Sequence, residues 1–276
     1  MPRLKKDVAG DAKTFELFSQ QIPSSNLGFV DSKATAMDLD IGKKSFSVNQ
    51  SPGLLHSQRS GGTTGAVLWK VTPLIAQWLS DKTSVFWKAG ALTSEAIVAE
   101  LGCGISGLIG LAVHQDVRHY ILTDQAYVFQ TLRQNIIANT KQEGTGRKKI
   151  PSAASDNLHL LPFDWEADSA ENLKRVAGSK GIDLLIACDC IYNDFLVIPF
   201  VQACRDVCQL RRSSDHVHDQ STLILVAQQQ RSDEVFELWL KEMMKYFQVW
   251  RLQDDILPDS LKSGTGYLLH IAVLKS

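Results

Sequence analysis

Residues 98–111, Val-Ala-Glu-Leu-Gly-Cys-Gly-Ile-Ser-Gly-Leu-Ile-Gly-Leu, constrain this chain more than any other stretch. The apolar run 96–99 reads as a buried strand, and Glu100 stands at its end. Gly102, Gly104 and Gly107 then carry the G-x-G-x-x-G spacing, and an apolar helical pattern follows. A strand that turns sharply into a helix needs backbone angles that a Cβ obstructs. A ligand lying on such a loop also needs the backbone close to it, with helix N-terminal amides as donors. The spacing also fits a tight turn that holds no ligand. Asp124 narrows the choice. It follows a second apolar run, 120–123, about 20 residues beyond Gly104. That is the separation expected of a carboxylate reaching a ribose hydroxyl. Together, Gly102 to Gly107 and Asp124 read as a nucleoside-binding βαβ unit.

The rest of the chain supplies the partners of this unit. Residues 15–21 read as a short helix in a polar N-terminal segment. Residues 36–41 and 46–50 alternate apolar and polar about Gly42-Lys43-Lys44-Ser45, a β-hairpin pattern. Such a hairpin must pack on something, either as a lid on the core or as part of a recognition surface. A flexible glycine loop at 61–65 leads into an amphipathic helix over 66–79, with a kink or restart near Pro73. Trp69, at its entrance, serves either as a wall of a ligand site or as core. Strands are expected at 96–101, 119–123, 157–161, 182–188 and 222–227, alternating with helices. Two terminal strands, 247–252 and 267–273, have no helical segment between them and can pair antiparallel.

Two strand ends carry further chemistry. Asp164-Trp165 offers an acceptor for an exocyclic amine and a flat apolar face, as an adenine requires. The same Asp164 also fits a cap for a helix at 166–168, with Trp165 as core. Asp189-Cys190-Ile191-Tyr192-Asn193 ends the fourth and most apolar strand, where open α/β sheets place ligands.

Composition sets the outer limits. The chain has 276 residues, is 44% hydrophobic and carries a net charge of -1. It reads as one large α/β domain at 61–276 behind an extension at 1–60 that holds the hairpin. The charge balance favours neither nucleic acid nor an anionic membrane, and the basic cluster Lys141, Arg147, Lys148 and Lys149 reads as a solvated loop. No secretory signal and no membrane-length apolar run is visible, so a soluble protein is expected. The cytoplasm is the default compartment, with the nucleus open. Five cysteines without a CxxC pair read as reduced, mostly buried thiols. His216 and His218, beside Asp215 and Asp219, read as exposed loop charge, and no metal is expected.

A nicotinamide dinucleotide and S-adenosylmethionine both suit the first βαβ signature. The motif begins about 100 residues into the chain, whereas dinucleotide domains often start with it. Glu100, two residues before the first glycine, suits a cationic ligand and opposes a pyrophosphate. No His–Asp or Tyr-x-x-x-Lys pair stands out for hydride chemistry.

The run Glu100-Leu101-Gly102-Cys103-Gly104, Asp124, Asp164-Trp165, Asp189-x-x-Tyr192 and the upstream Trp69 together resemble the seven-β-strand, class I protein-lysine methyltransferases. The glycine motif is general to seven-strand methyltransferases, while the Asp-x-x-Tyr motif with an upstream Trp is more specific. The resemblance covers residues 60–276, with the hairpin fitting too, and is greatest to fungal members acting on ribosomal proteins. It implies a Rossmann-like sheet of order 3-2-1-4-5-7-6 with strand 7 antiparallel, helices on both faces and an N-terminal β-hairpin. It implies S-adenosyl-L-methionine as donor and a lysine of a protein, a ribosomal protein among the candidates, as acceptor. By this resemblance Trp69, Glu100, Gly102, Cys103, Gly104, Asp124, Asp164 and Trp165 line the donor pocket, with Cys188 beside it. Asp189 and Tyr192 face the acceptor lysine. Asp189 can orient the incoming amine or simply cap the following helix. A monomer is expected. A methyltransferase for small molecules or RNA, a dehydrogenase and a non-catalytic nucleotide-binding module stay open from the residues alone. The loops at 140–155 and 211–220 depart from a compact family core.

Overall fold

Every residue of 97–101 and 184–188 is buried, and only Glu100 among them is charged. Strands of this kind are parallel and covered on both faces. The computed structural model describes residues 5–6, 28–55, 63–140, 156–212 and 221–276. The expected helix at 15–21, residues 61–62 of the glycine loop, the basic cluster and the His216–His218 loop lie outside the described residues. The strands are β1 (Lys5–Lys6), β2 (Ala36–Ile41), β3 (Lys44–Asn49), β4 (Ile97–Leu101) and β5 (His119–Asp124). They continue with β6 (Leu158–Pro162), β7 (Leu184–Cys188), β8 (Leu223–Gln229), β9 (Phe247–Arg251) and β10 (Tyr267–Leu274). The helices that matter here are α1 (Val71–Ser80), α2 (Leu108–Val113), α3 (Phe129–Thr140), α4 (Asp194–Arg212) and α5 (Asp233–Tyr246).

The main sheet runs β1-β9-β10-β8-β7-β4-β5-β6. Counted from β4 onward, its strands stand in the order 3-2-1-4-5-7-6, and β10 lies antiparallel between β8 and β9. β1 adds an edge strand that the sequence reading did not contain. Both terminal strands pair as expected.

Side chains alternate across this sheet with the period of two that strands impose. Val98, Tyr120, Leu122, Ile186 and Leu225 face one core with α1, α2 and α3. Ala99, Ile121, Leu185, Ala187 and Val226 face the other with α4 and α5. The hairpin β2–β3 joins the first core through the buried Ile41, Phe46 and Val48. Its turn is tighter than expected: Ile41 pairs directly with Lys44, leaving only Gly42 and Lys43 between the strands. Gly42 has φ +63°, the left-handed conformation that such short turns demand.

The expected helix over 66–79 is also corrected. Helix α1 begins only at Val71, preceded by a short 3-10 turn at Thr64–Ala66. Pro73 therefore sits in the first turn, where no N–H has an intrahelical partner, so it starts the helix instead of kinking it. Trp69 lies before the helix, in an extended segment that bridges antiparallel to Phe29.

Position in the sheet now fixes the site. The chain passes from β4 outward to β5 and β6, then returns to place β7 on the other side of β4. The loops after β4 and β7 therefore diverge, which opens a crevice at the carboxyl ends of these strands.

Candidate functional site

Gly102 has φ +68°, and a Cβ there would lie 2.8 Å from the Cys190 sulfur and 3.3 Å from the Trp165 ring. No other residue type fits a turn that close to two neighbours. Gly107, at φ +54°, would press a Cβ to 2.9 Å from Leu132 on α3, so it sets the close packing of the loop on that helix. Between them, the Gly104 amide donates to Asp124 Oδ2 at 2.8 Å, and the Gln125 amide donates to Oδ1 at 2.7 Å. The carboxylate at the end of β5 thus clamps the glycine loop. Burial, reinforced by Asp164, pushes Asp124 up to about 6 against the pull of these two amides.

The crevice is a cavity of about 790 Å³, counting the open space at its mouth. Trp69, Gly102, Cys103, Gly104, Asp124, Asp164, Trp165, Cys188, Asp189 and Tyr192 all line it. The chain brings these residues together from five separate segments.

Glu100 is placed elsewhere. Strand alternation turns it into the first core, where Tyr120 OH donates to Glu100 Oε2 at 2.8 Å. It is 1% exposed and does not line the cavity. Burial pushes its carboxyl up to about 7, partly offset by the Tyr120 hydrogen bond. Among the residues expected to line the donor pocket, Glu100 is the one that the structure turns away from the cavity: a residue in the strand proper points into a layer of the core, while the loop beyond it meets the cavity.

Asp164 makes the expected cap and also faces the cavity. It lines the cavity, and its Oδ1 accepts from the Glu166 amide at 3.0 Å to cap the following turn. Gln125 Nε2 donates to its Oδ2 at 3.2 Å, which ties the β6 end to the β5 end. Trp165 meets Phe200 of α4 edge-on, with ring centres 5.2 Å apart, and presents the remainder of its surface to the cavity.

Asp189 is the only non-glycine residue at positive φ among the described residues, at +58°. That conformation costs a residue with a Cβ on the order of 1 kcal/mol, so its surroundings must impose it. The Asp189 amide donates to Ala227 O at 2.8 Å. Its carboxylate receives Arg231 Nη1 at 2.7 Å and the Gln229 amide at 3.2 Å on Oδ1, and Arg231 Nη2 on Oδ2. The same guanidinium lies over the Trp69 ring, 4.8 Å from its centre, while Phe29 meets that ring at 4.5 Å. Tyr192 OH accepts from Thr64 Oγ1 at 3.0 Å, and burial raises its phenol above the ordinary value.

Sequence reasoning missed Arg231, Thr64, Gly65, Gln125 and Tyr127. Gly65 O accepts from the Ile105 amide at 2.9 Å and Tyr127 OH accepts from the Gly65 amide at 3.2 Å, so the segment before α1 folds over the glycine loop. Only the position of Gln125, directly after Asp124, was a signal available in the sequence.

The charge of the lining decides which nucleoside the site suits. Asp124, Asp164, Glu166 and Asp189 line the cavity, and no Lys or Arg does so among the described residues. Arg231 neutralises Asp189, so a pyrophosphate would still meet the carboxylates of Asp124, Asp164 and Glu166 with no Lys or Arg in the lining to offset them. A sulfonium and an amine each gain from the same surroundings. The residues present therefore fit S-adenosylmethionine, since the cavity is lined by carboxylates and by the flat ring of Trp165. This is an α/β site for a cationic nucleoside at a topological switch point. The chain belongs to the lysine methyltransferase family, whose model matches residues 48–245.

Individual relatives match at modest identity and carry different names. A Zygosaccharomyces rouxii protein named ribosomal lysine N-methyltransferase 5 is 32% identical over 186 residues, covering 57% of this chain and 58% of that protein. A Schizosaccharomyces pombe protein named diaminohydroxyphosphoribosylamino-pyrimidine deaminase is 28% identical over 250 residues, covering 88% of this chain and 53% of its own length. The chain thus spans little more than half of either relative. Among solved structures, a TehB-like SAM-dependent methyltransferase from Corynebacterium glutamicum matches at 12% identity and a TM-score of 0.43, over 68% of this chain and 84% of that one.

Proposed function

We propose that this chain transfers a methyl group from S-adenosylmethionine to the side-chain amine of a lysine in a protein, and that the acceptor is a ribosomal protein. The observation that carries the reading is Asp189 at φ +58° at the end of β7, with Tyr192 in the same cavity that Gly102, Gly104 and Asp124 line. The bound cofactor supplies an electrophilic methyl group. The chain's own residues hold and aim the partner.

A lysine ammonium has no lone pair, so the amine must lose its proton before it attacks. A water-poor cavity lowers the amine's affinity for that proton. Val67, Leu68, Phe163 and Leu196 give the cavity apolar walls. Asp189 accepts from the incoming amine with the Oδ2 lone pair that Arg231 leaves, and Tyr192 presents an aromatic ring that favours cations, as Trp69 does toward Arg231. Alignment of the amine with the methyl supplies much of the rate. No residue is assigned as a strong general base.

The ribosomal acceptor is supported by the printed name of the Zygosaccharomyces relative. This reading also puts the protein in the cytoplasm, acting as a monomer. The test is mass spectrometry of ribosomal proteins from cells with and without this chain. A lysine that gains mass in steps of one methyl only when the chain is present supports it. Identical ribosomal proteins in both samples remove the ribosomal acceptor.

A further inference from the structure

Most large apolar side chains of this protein are buried, but two neighbours on one helical turn are not. Phe195 is 82% exposed and Ile198 is 60% exposed. They stand three residues apart at the start of α4 and so share a face. The next outward position on that face, Gln202, is polar and donates to Asp206 Oδ1. Apolar exposure is therefore confined to the first turn of the helix.

That turn is the one that borders the cavity. Tyr192 and Leu196, on either side of Phe195 in the chain, both line it. The patch thus adjoins, along the chain, residues that line the cavity in which Asp189 and Tyr192 stand. Pro199 lies inside the helix and has no N–H to give to the Phe195 carbonyl four residues before it. The patch therefore combines two apolar side chains with a backbone acceptor that lacks its regular helical bond. The exposed Asp194 precedes Phe195 in the same turn, and the exposed Glu166 lines the cavity.

We infer that the first turn of α4 is the docking surface for the polypeptide segment that carries the target lysine. The inference rests on the protein-lysine reading above. Phe195 and Ile198 take an apolar side chain of the segment, the Phe195 carbonyl takes one of its N–H groups, and the acids favour a basic stretch.

The test compares the full chain with a Phe195→Ser, Ile198→Ser variant and with Leu238→Ser, which alters an apolar residue on α5. Each is given labelled S-adenosylmethionine and, as probe, protein extract from cells lacking the chain, over a range of extract concentrations. The expected result is that the double variant labels the wild-type band at least about tenfold more slowly at limiting extract, the size of effect typical of an interface anchor. Its rate recovers as the extract is concentrated, and its affinity for S-adenosylhomocysteine and its melting temperature match the wild type. Leu238→Ser labels normally. Equal labelling by the double variant overturns the inference. So does a lower melting temperature, which would mean that the chain's own residues cover the patch. So does a fall from dimer to monomer in sedimentation, which would mean that a second copy covers it. If the wild type binds S-adenosylhomocysteine yet labels no protein, the protein-lysine reading itself fails and the docking surface with it.

Discussion

Arg231 grips Asp189 at two points, with Nη1 on Oδ1 at 2.7 Å and Nη2 on Oδ2, across 42 residues of sequence. The pair joins the ends of β7 and β8 at the mouth of the cavity. Planar two-point recognition of a carboxylate is a property of arginine that lysine does not share. Because the Asp189 side chain is almost fully buried, removing its partner leaves a charge held only by the Gln229 amide. Arg231→Ala is therefore expected to destabilise the fold by about 3 kcal/mol in urea titrations. Methyl transfer is expected to fall by about 100-fold, because the Asp189 side chain loses its orientation. Combining Asp189→Asn with Arg231→Met should recover most of the stability and none of the activity. Retained activity in the double variant would show that the pair serves the fold alone.

Asp124 gives a pH signature. Its folded-state value of about 6 means that it is largely protonated at pH 5 and ionised at pH 7. An ionised carboxylate accepts from sugar hydroxyls more strongly than a protonated one. The affinity for S-adenosylhomocysteine should therefore rise as pH increases through 6, by about tenfold, the worth of one charge-assisted bond. Calorimetry between pH 5 and 8 reads this directly. Asp124→Asn should bind weakly and without that dependence.

The sequence displayed the sheet and most of the cavity because both follow short-range rules. The apolar runs at β4, β5, β7 and β8 exist to be covered on both faces, and each is found within two residues of its expected bounds. The glycines at 102, 104 and 107 answer to local backbone angles, all three having positive φ. Arg231 was hidden because nothing beside it in sequence marks it; its partner is brought near only by the pairing of β7 with β8. The Lys5–Lys6 strand was hidden because two lysines carry no alternation, and their pairing with Arg251 and Trp250 is a product of the finished edge. The core placement of Glu100 was hidden because strand direction is legible in sequence while the layer a side chain enters is set by its neighbours.

Glu100 supplies a stability test. Its carboxyl moves from an ordinary 4.5 to about 7 on folding, mainly through burial. The folded state therefore holds this proton more tightly than the unfolded chain. Between pH 4.5 and 7 the native form carries more protons, so this group's contribution falls as pH rises. By pH 8 the loss is on the order of 3 kcal/mol. Glu100→Gln keeps an oxygen for the Tyr120 hydroxyl and removes the charge. It should raise stability at pH 8 and change little at pH 4.5. Urea titrations at the two pH values measure the difference, and equal effects at both would mean that Glu100 is not the group responsible.

Asn135 binds the hairpin to the glycine loop through one fully buried amide. Its Oδ1 receives the Asn49 amide at 2.8 Å, while its Nδ2 donates to Asn49 O at 2.9 Å and to Ile105 O at 2.8 Å. Asn139, one turn on, repeats the exchange with Ser47, its Nδ2 and Oδ1 each 2.8 Å from the strand backbone. Two side chains of α3 thus stand in for the missing neighbour strand of β3, which would otherwise present unpaired backbone groups at its edge. The sites differ in burial, and burial sets the cost of leaving a backbone group unpaired. Asn135→Ala should cost about 3 kcal/mol and Asn139→Ala about 1 kcal/mol or less. Hydrogen exchange at the Ser47 and Asn49 amides should speed up in both variants. Only Asn135→Ala should also weaken binding of S-adenosylhomocysteine, because only Asn135 reaches Ile105 in the glycine loop proposed to hold the cofactor. Unchanged affinity in Asn135→Ala would show that the loop holds its shape without the hairpin.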